Sequence, residues 1–167
     1  MAHQISLLRE HGRGHDGLVE AWGLNSRLDN LQAALLGFQF KYYDETVARR
    51  REIAAMYQRE LGDLPQLLLP PAPDADPRYF DVYQNYEIEA EKRDQLKDYL
   101  RDHGVGTLIQ WGGRAVHQFP ALKLSVSLPN TERMFTRCLM LPISPLLSNE
   151  DVQHVCDVIR AFYKKSV

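Results

Sequence analysis

Three polar side chains stand just before the longest apolar pattern in the sequence. Asn25, Ser26 and Arg27 supply an amide, a hydroxyl and a guanidinium group. After them, apolar residues recur at helical spacing and predict one apolar stripe, formed by Leu28, Leu31, Leu35, Phe38 and Tyr42. Because free N–H groups at a helix N-terminus attract anions, this arrangement predicts a site for a phosphate ester.

Ordinary helix capping explains the same residues. Ser26 is then the N-cap of the helix, and Asp29 is the acidic half of a capping box. In that interpretation Arg27 only pairs with Asp29 or Asp44. The residues alone leave both interpretations open.

The order of patterns along the chain predicts an α+β fold. We expect a helix over about residues 1–10, a loop up to Gly23, and a helical region over 28–61 that bends or divides near 42–46. Prolines at 65, 70, 71, 73 and 77 predict an extended connector over 65–78. Beyond it we expect strands at 79–89, 105–111 and 139–142, helices at 91–103 and 131–138, and a last helix capped by Ser148 and Asp151.

These patterns divide the chain into residues 1–64, the proline-rich connector 65–78 and a small α+β domain at 79–167, in which the first two strands flank a helix in β-α-β order. The 167 residues carry a net charge of −2, which argues against a nucleic-acid surface. The one basic run, Arg49-Arg50-Arg51, is expected to be a solvated helix face. No signal peptide or membrane-spanning run is visible, so we expect a cytoplasmic protein.

The sequence offers little support for a metal site or a catalytic nucleophile. The histidines are scattered, and the pair His11 and His15 is interrupted by glycines, so no metal ligands are assigned. Cys138 and Cys156 fall on the apolar sides of predicted helices, and we expect buried, reduced thiols. No Gly-x-Ser-x-Gly elbow occurs.

A series of motifs follows in fixed order: Gly23-x-Asn25-x-Arg27 with Leu31-Gln32-Ala33-Ala34, Arg49-Arg50-Arg51-Glu52-Ile53-Ala54, Tyr83-Gln84-Asn85-Tyr86, His117, Leu128-Pro129-x-Thr131-Glu132, and Leu141-Pro142-Ile143. Together they resemble the DegT/DnrJ/EryC1/StrS family of sugar-nucleotide aminotransferases, which use pyridoxal phosphate. The resemblance implies the C-terminal small domain of a fold-type-I aminotransferase, preceded by an interface loop and long helices.

The resemblance also implies roles for particular residues. Members of the family are homodimers whose active sites lie at the subunit interface. Asn25, with Ser26 and Arg27, would contact the phosphate of a cofactor held mainly by the partner chain. His117 would hydrogen-bond the substrate sugar or its diphosphate, and Trp22 would line the pocket. A structural histidine at position 117 and core packing of Trp22 and Trp111 remain the alternatives.

The lysine that holds the cofactor would lie upstream of the first residue. The chain's own lysines, at positions 41, 92, 97, 123, 164 and 165, match no cofactor-bearing segment of the family. No catalytic residue is therefore assigned, and we expect a chain that neither binds pyridoxal phosphate nor transaminates alone. We expect dimers or higher oligomers, since the apolar stripe should be exposed. The alternatives are a noncatalytic assembly module and a sugar-nucleotide binding module.

Overall fold

The computed structural model describes residues 1–26 and 28–165. The chain divides into two compact units, Met1–Tyr43 and Asp44–Val167. The helices are α1 (Ala2–Arg9), α2 (Asn30–Gln39), α3 (Tyr43–Leu61), α4 (Arg93–Asp102), α5 (Pro129–Arg137) and α6 (Asn149–Lys165). The strands are β1 (Leu67–Leu68), β2 (Tyr86–Ala90) and β3 (Cys138–Leu141), and short 3-10 turns cover Phe40–Tyr42, Gln110–Gly113, Val116–Gln118 and Pro120–Leu122.

The predicted long helical region is divided by the turn Phe40–Tyr42, slightly before the expected break. The predicted cap at Ser26 is wrong. The N-cap of α2 is Asp29, whose Oδ1 accepts hydrogen bonds from the N–H groups of Leu31 at 2.8 Å and Gln32 at 3.2 Å. The helix begins too far along the chain for the Ser26 hydroxyl to reach its first amides.

The second unit contains a three-stranded antiparallel sheet in the order β1-β2-β3. In its register, Tyr86 lies opposite Leu141 and Ile88 lies opposite Leu139. The predicted strand at 105–111, and with it the β-α-β order, is wrong. That segment makes a single bridge, between Leu108 and Met140, because the backbone turns away at Trp111 with a φ of 50°.

The core of this unit lies between the sheet and the apolar faces of α3, α4 and α6. Its fully buried side chains include Ile53, Tyr57, Leu61, Ile88, Leu96, Leu100, Leu139 and Ile159. Burial of this apolar surface is the main driving force for folding of the unit. Cys138 and Cys156 are buried, as expected, although Cys138 begins β3 rather than lying in a helix. Burial raises the pKa of Cys156 to about 12, so this residue stays a thiol at neutral pH.

The prediction of a solvated face for the arginine run on α3 is wrong. The three guanidinium groups donate to backbone carbonyls: Arg49 to Leu147 at 2.6 Å, Arg50 to Tyr83 at 3.0 Å and Gln84 at 2.7 Å, and Arg51 to Asp81 at 2.8 Å. They tie α3 to the segment before β2 and to the connection before α6. These carbonyls could not be identified from the sequence, because they belong to residues distant along the chain.

The cap of the last helix is as predicted. The Ser148 hydroxyl accepts a hydrogen bond from the Asp151 N–H at 3.0 Å, and the Asp151 carboxylate accepts one from the Ser148 N–H at 2.9 Å. In the described part of the chain, no helix combines the length and the hydropathy needed to cross a lipid bilayer.

Candidate functional site

The segment that carries Asn25 is paired with the end of α1. The N–H of Leu24 donates to the Leu8 carbonyl at 2.7 Å, and the N–H of Ser26 donates to the Arg9 carbonyl at 3.0 Å. Asn25 forms an antiparallel bridge with Glu10 between these two bonds. The backbone of Asn25 is therefore fixed by the first helix.

Glycine at position 23 is required by this pairing. A Cβ atom at Gly23 would lie 2.3 Å from the backbone nitrogen of Gly12 and 2.8 Å from the Leu8 carbonyl oxygen. Gly12 itself has a φ of 74°, which side chains rarely adopt. The glycine of the Gly-x-Asn motif thus permits the close backbone approach that places Asn25.

The side chains of Asn25 and Ser26 are exposed, and Arg27 lies outside the described residues. The first amides of α2 are already bonded to the Asp29 carboxylate. A phosphate at this segment would therefore depend on the side chains of Asn25 and Ser26 rather than on the helix N-terminus. The sequence did not reveal that Asp29 itself occupies those amides.

The alternative of core packing for the two tryptophans is wrong. The exposed fraction is 98% for Trp22 and 74% for Trp111. Such exposure of a large aromatic ring is uncommon in a folded domain and is typical of residues that meet a ligand or another surface.

In the second unit, His117 lies in the short turn Val116–Gln118. Buried Ala115 anchors this turn, and its N–H donates to the Gln118 Oε1 at 2.9 Å. The side chain of His117 is only 7% exposed.

Glu132, in the first turn of α5, holds the imidazole of His117. Its Oε1 lies 3.0 Å from the His117 Nε2 and accepts a hydrogen bond from the Leu128 N–H at 2.9 Å. The Leu128 N–H and, secondarily, the imidazole hold the pKa of Glu132 below its usual range. In the sequence, Glu132 stands out only as part of the motif Leu128-Pro129-x-Thr131-Glu132, and nothing there predicts its contact with His117.

The residues of this chain fit one part of a pyridoxal phosphate site. Asn25 and Ser26 offer donors suited to its phosphate. All six lysines lie in the described residues, where Lys97 is half-buried on α4 and the others are exposed. Within residues 1–26 and 28–165, no three His, Cys, Asp or Glu side chains are grouped to hold a metal ion.

Residues 1–160 match the family model described as the DegT/DnrJ/EryC1/StrS aminotransferase family. The chain belongs to this family. It is 38% identical over 165 residues to the erythromycin biosynthesis sensory transduction protein EryC1 of Saccharopolyspora erythraea, a match that covers 96% of this chain and 44% of the relative. It is 34% identical over 170 residues to the dTDP-3-amino-3,4,6-trideoxy-alpha-D-glucose transaminase of Streptomyces venezuelae, covering 99% and 44%.

Solved structures show the same fold. A crystal structure of DesV from S. venezuelae, in complex with a ketimine intermediate, superimposes with a TM-score of 0.86 at 30% identity and covers 96% of this chain and 43% of DesV. The aminotransferase TlmJ from Streptoalloteichus hindustanus gives a TM-score of 0.88 at 28% identity, covering 99% and 46%. The chain thus spans less than half the length of the proteins it matches, and the fold is α+β, with long helices and a small antiparallel sheet.

Proposed function

We propose that this chain is the C-terminal portion of a pyridoxal-phosphate aminotransferase that moves an amino group, from glutamate, to a nucleotide-linked keto-sugar. The observation that carries the proposal is the family match over residues 1–160. A transaminase from S. venezuelae, named for a dTDP-amino sugar, is among the similar proteins and supports the substrate class.

Each candidate residue has a role in this proposal. Asn25, with Ser26 and Arg27, contacts the phosphate of the cofactor in the partner subunit of a homodimer. His117 hydrogen-bonds the nucleotide-linked sugar, and exposed Trp22 lines the pocket. When bound, pyridoxal phosphate supplies the electron sink that transamination needs.

This portion of the enzyme is inactive alone, because it offers no lysine for a Schiff base. The decisive measurement is the mass of the native product, by immunoblot and intact mass spectrometry. A product near twice 19.3 kDa should show transaminase activity with glutamate and a nucleotide-linked keto-sugar. If such a product shows no activity with any nucleotide-linked keto-sugar or sugar amine, the proposal is wrong.

A noncatalytic module that pairs with a full-length aminotransferase is the second candidate. The exposed apolar stripe on α2 favours it, because this surface is available to a second chain. A native product of 19.3 kDa that co-purifies with a larger aminotransferase would support this candidate over the first.

Calorimetric titration with a nucleoside diphosphate sugar tests for a sugar-nucleotide binding module. The C-terminal portion of an enzyme should bind such a ligand weakly, since most of the pocket lies elsewhere. Tight binding that is lost in His117→Ala would favour the binding module. His154→Ala is the matched control, because this histidine of the second unit is exposed on α6, where its Nε2 lies 3.0 Å from the His103 carbonyl oxygen. Tight binding that survives both Asn25→Ala and His117→Ala would contradict the site assignment.

A further inference from the structure

The imidazole of His117 has one hydrogen-bond partner among residues 1–26 and 28–165, the carboxylate of Glu132. The contact joins Nε2 to Oε1 at 3.0 Å, and the imidazole side chain is 7% exposed. The ring is therefore held at one nitrogen, Nε2, and its second nitrogen, Nδ1, is not used within the described part of the chain.

The direction of this hydrogen bond follows from the chemistry of the carboxylate. The same Oε1 already accepts a hydrogen bond from the Leu128 N–H at 2.9 Å. An ionised carboxylate has no proton to donate, so Nε2 must carry the proton of the hydrogen bond. In the neutral ring the proton is then absent from Nδ1, which is left as an acceptor.

We propose that Glu132 is a positioning residue that fixes His117 as its Nε2–H tautomer, so that Nδ1 presents an acceptor to a hydroxyl group of the nucleotide-linked sugar. The role in sugar binding rests on the proposed function. The tautomer itself does not, because it depends only on the contact between these two side chains. The neutral ring in this form has no donor to offer a diphosphate, which selects the sugar over the diphosphate as the group that His117 meets.

The orientation of Glu132 is itself fixed from two sides. The carboxylate lies in the first turn of α5, and the Leu128 N–H immediately before that helix holds one of its oxygens. The turn that carries His117 is closed separately by Gln118 and anchored by buried Ala115. Two elements, each closed by its own local hydrogen bond, therefore meet at the contact between His117 and Glu132.

The test is a ¹⁵N NMR measurement of the histidine ring nitrogens at neutral and higher pH, on the 167-residue chain without ligand. His117 should give a protonated-type signal at Nε2 and an unprotonated-type signal at Nδ1. In Glu132→Ala both tautomers should become populated. Glu150→Ala is the matched control, since it removes a carboxylate from the first turn of α6 that has no imidazole partner among residues 1–26 and 28–165.

Glu132→Gln provides a second variant that keeps an oxygen acceptor for the Leu128 N–H and so protects the fold. It replaces the other carboxylate oxygen with a neutral NH2 group, which can donate to Nε2, so the Nδ1–H form of His117 should still gain population. A wild-type ring protonated at Nδ1, or a tautomer unchanged in both Glu132 variants, would overturn the proposal. Since no ligand is present, this failure is distinct from absent transaminase activity, which would count only against the proposed function.

Discussion

Helices α2 and α6 both carry an apolar stripe but have opposite surroundings. α6 buries seven residues, including Val152, Cys156 and Ile159. α2 buries none, and its stripe residues Leu31 and Leu35 are 70% and 57% exposed. The comparison shows that helical periodicity predicts which face is apolar but not whether the residues of this chain cover that face.

The largest expected difference between the two regions is in the free energy of unfolding when a leucine in each region is replaced by alanine. Leu139→Ala removes a fully buried side chain and should lower the free energy of unfolding by about 2–5 kcal/mol. Leu35→Ala, its matched control on α2, should change it by less than about 0.5 kcal/mol, because the side chain is 57% exposed. Urea denaturation measures both, and equal losses would contradict the comparison.

Self-association of the chain should depend on the exposed stripe of α2 and not on the buried core. If the chain dimerises as proposed, introducing charge with Leu31→Glu and Leu35→Glu together should raise the dissociation constant of that dimer at least about tenfold, equivalent to about 1.4 kcal/mol. Sedimentation velocity over a concentration series provides the measurement. Leu146→Glu is the control, since this leucine is 92% exposed but lies outside the stripe. A wild-type chain that stays monomeric at high concentration would rule out α2 as a self-association surface.

Removing the buried hydroxyl group of Tyr57 should change the free energy of unfolding by a smaller amount. The Tyr57 hydroxyl donates to the Pro142 carbonyl at 2.7 Å, and burial raises the pKa of this tyrosine well above its usual range. Tyr57→Phe should lower the free energy of unfolding by about 1 kcal/mol, because the carbonyl loses its partner. Tyr43→Phe, which alters a tyrosine that is 47% exposed, should have almost no effect. Thermal and urea unfolding measure the stability of both variants, and equal losses in the two would contradict this prediction.

The smallest effect depends on pH. Hydrogen bonds from Ser148 hold the pKa of Asp151 below its usual range. Its carboxylate therefore stabilises the folded state above the unfolded pKa of about 3.9, and this contribution is lost as the pH falls through the lower folded pKa. The wild type should be more stable than Asp151→Asn at pH 7, with the difference declining below about pH 4. Glu150→Gln is the control in the same helix turn, and a difference that grows on acidification would contradict this account.

Local chemistry made several elements predictable from the sequence. The cap at Ser148 and Asp151 was found because both partners lie within one turn of the helix. The exposed stripe on α2 was expected from the family resemblance, which implies that this stripe contacts the large domain or the partner subunit. Element order in the small domain was predicted correctly, apart from the strand at 105–111.

Features that depend on long-range contacts were missed. The carbonyl partners of the arginine run are brought to α3 by the fold, and nothing near Arg50 indicates Tyr83 or Gln84. The link between His117 and Glu132 spans a loop with little regular structure, so periodicity carried no signal for it. The roles of Asn25, Ser26, Arg27, Trp22 and His117 in binding remain predictions.

The three consecutive arginines also specify the rotational setting of α3. Successive residues of a helix project about 100° apart, so Arg49, Arg50 and Arg51 point toward different parts of the surrounding chain. Each reaches its own carbonyl acceptors, at Leu147, at Tyr83 and Gln84, and at Asp81. A turn of the helix by one residue would break all of these bonds together. Apolar packing tolerates small rotations, but this set of directional bonds permits a single register for α3 against the segments that precede β2 and α6.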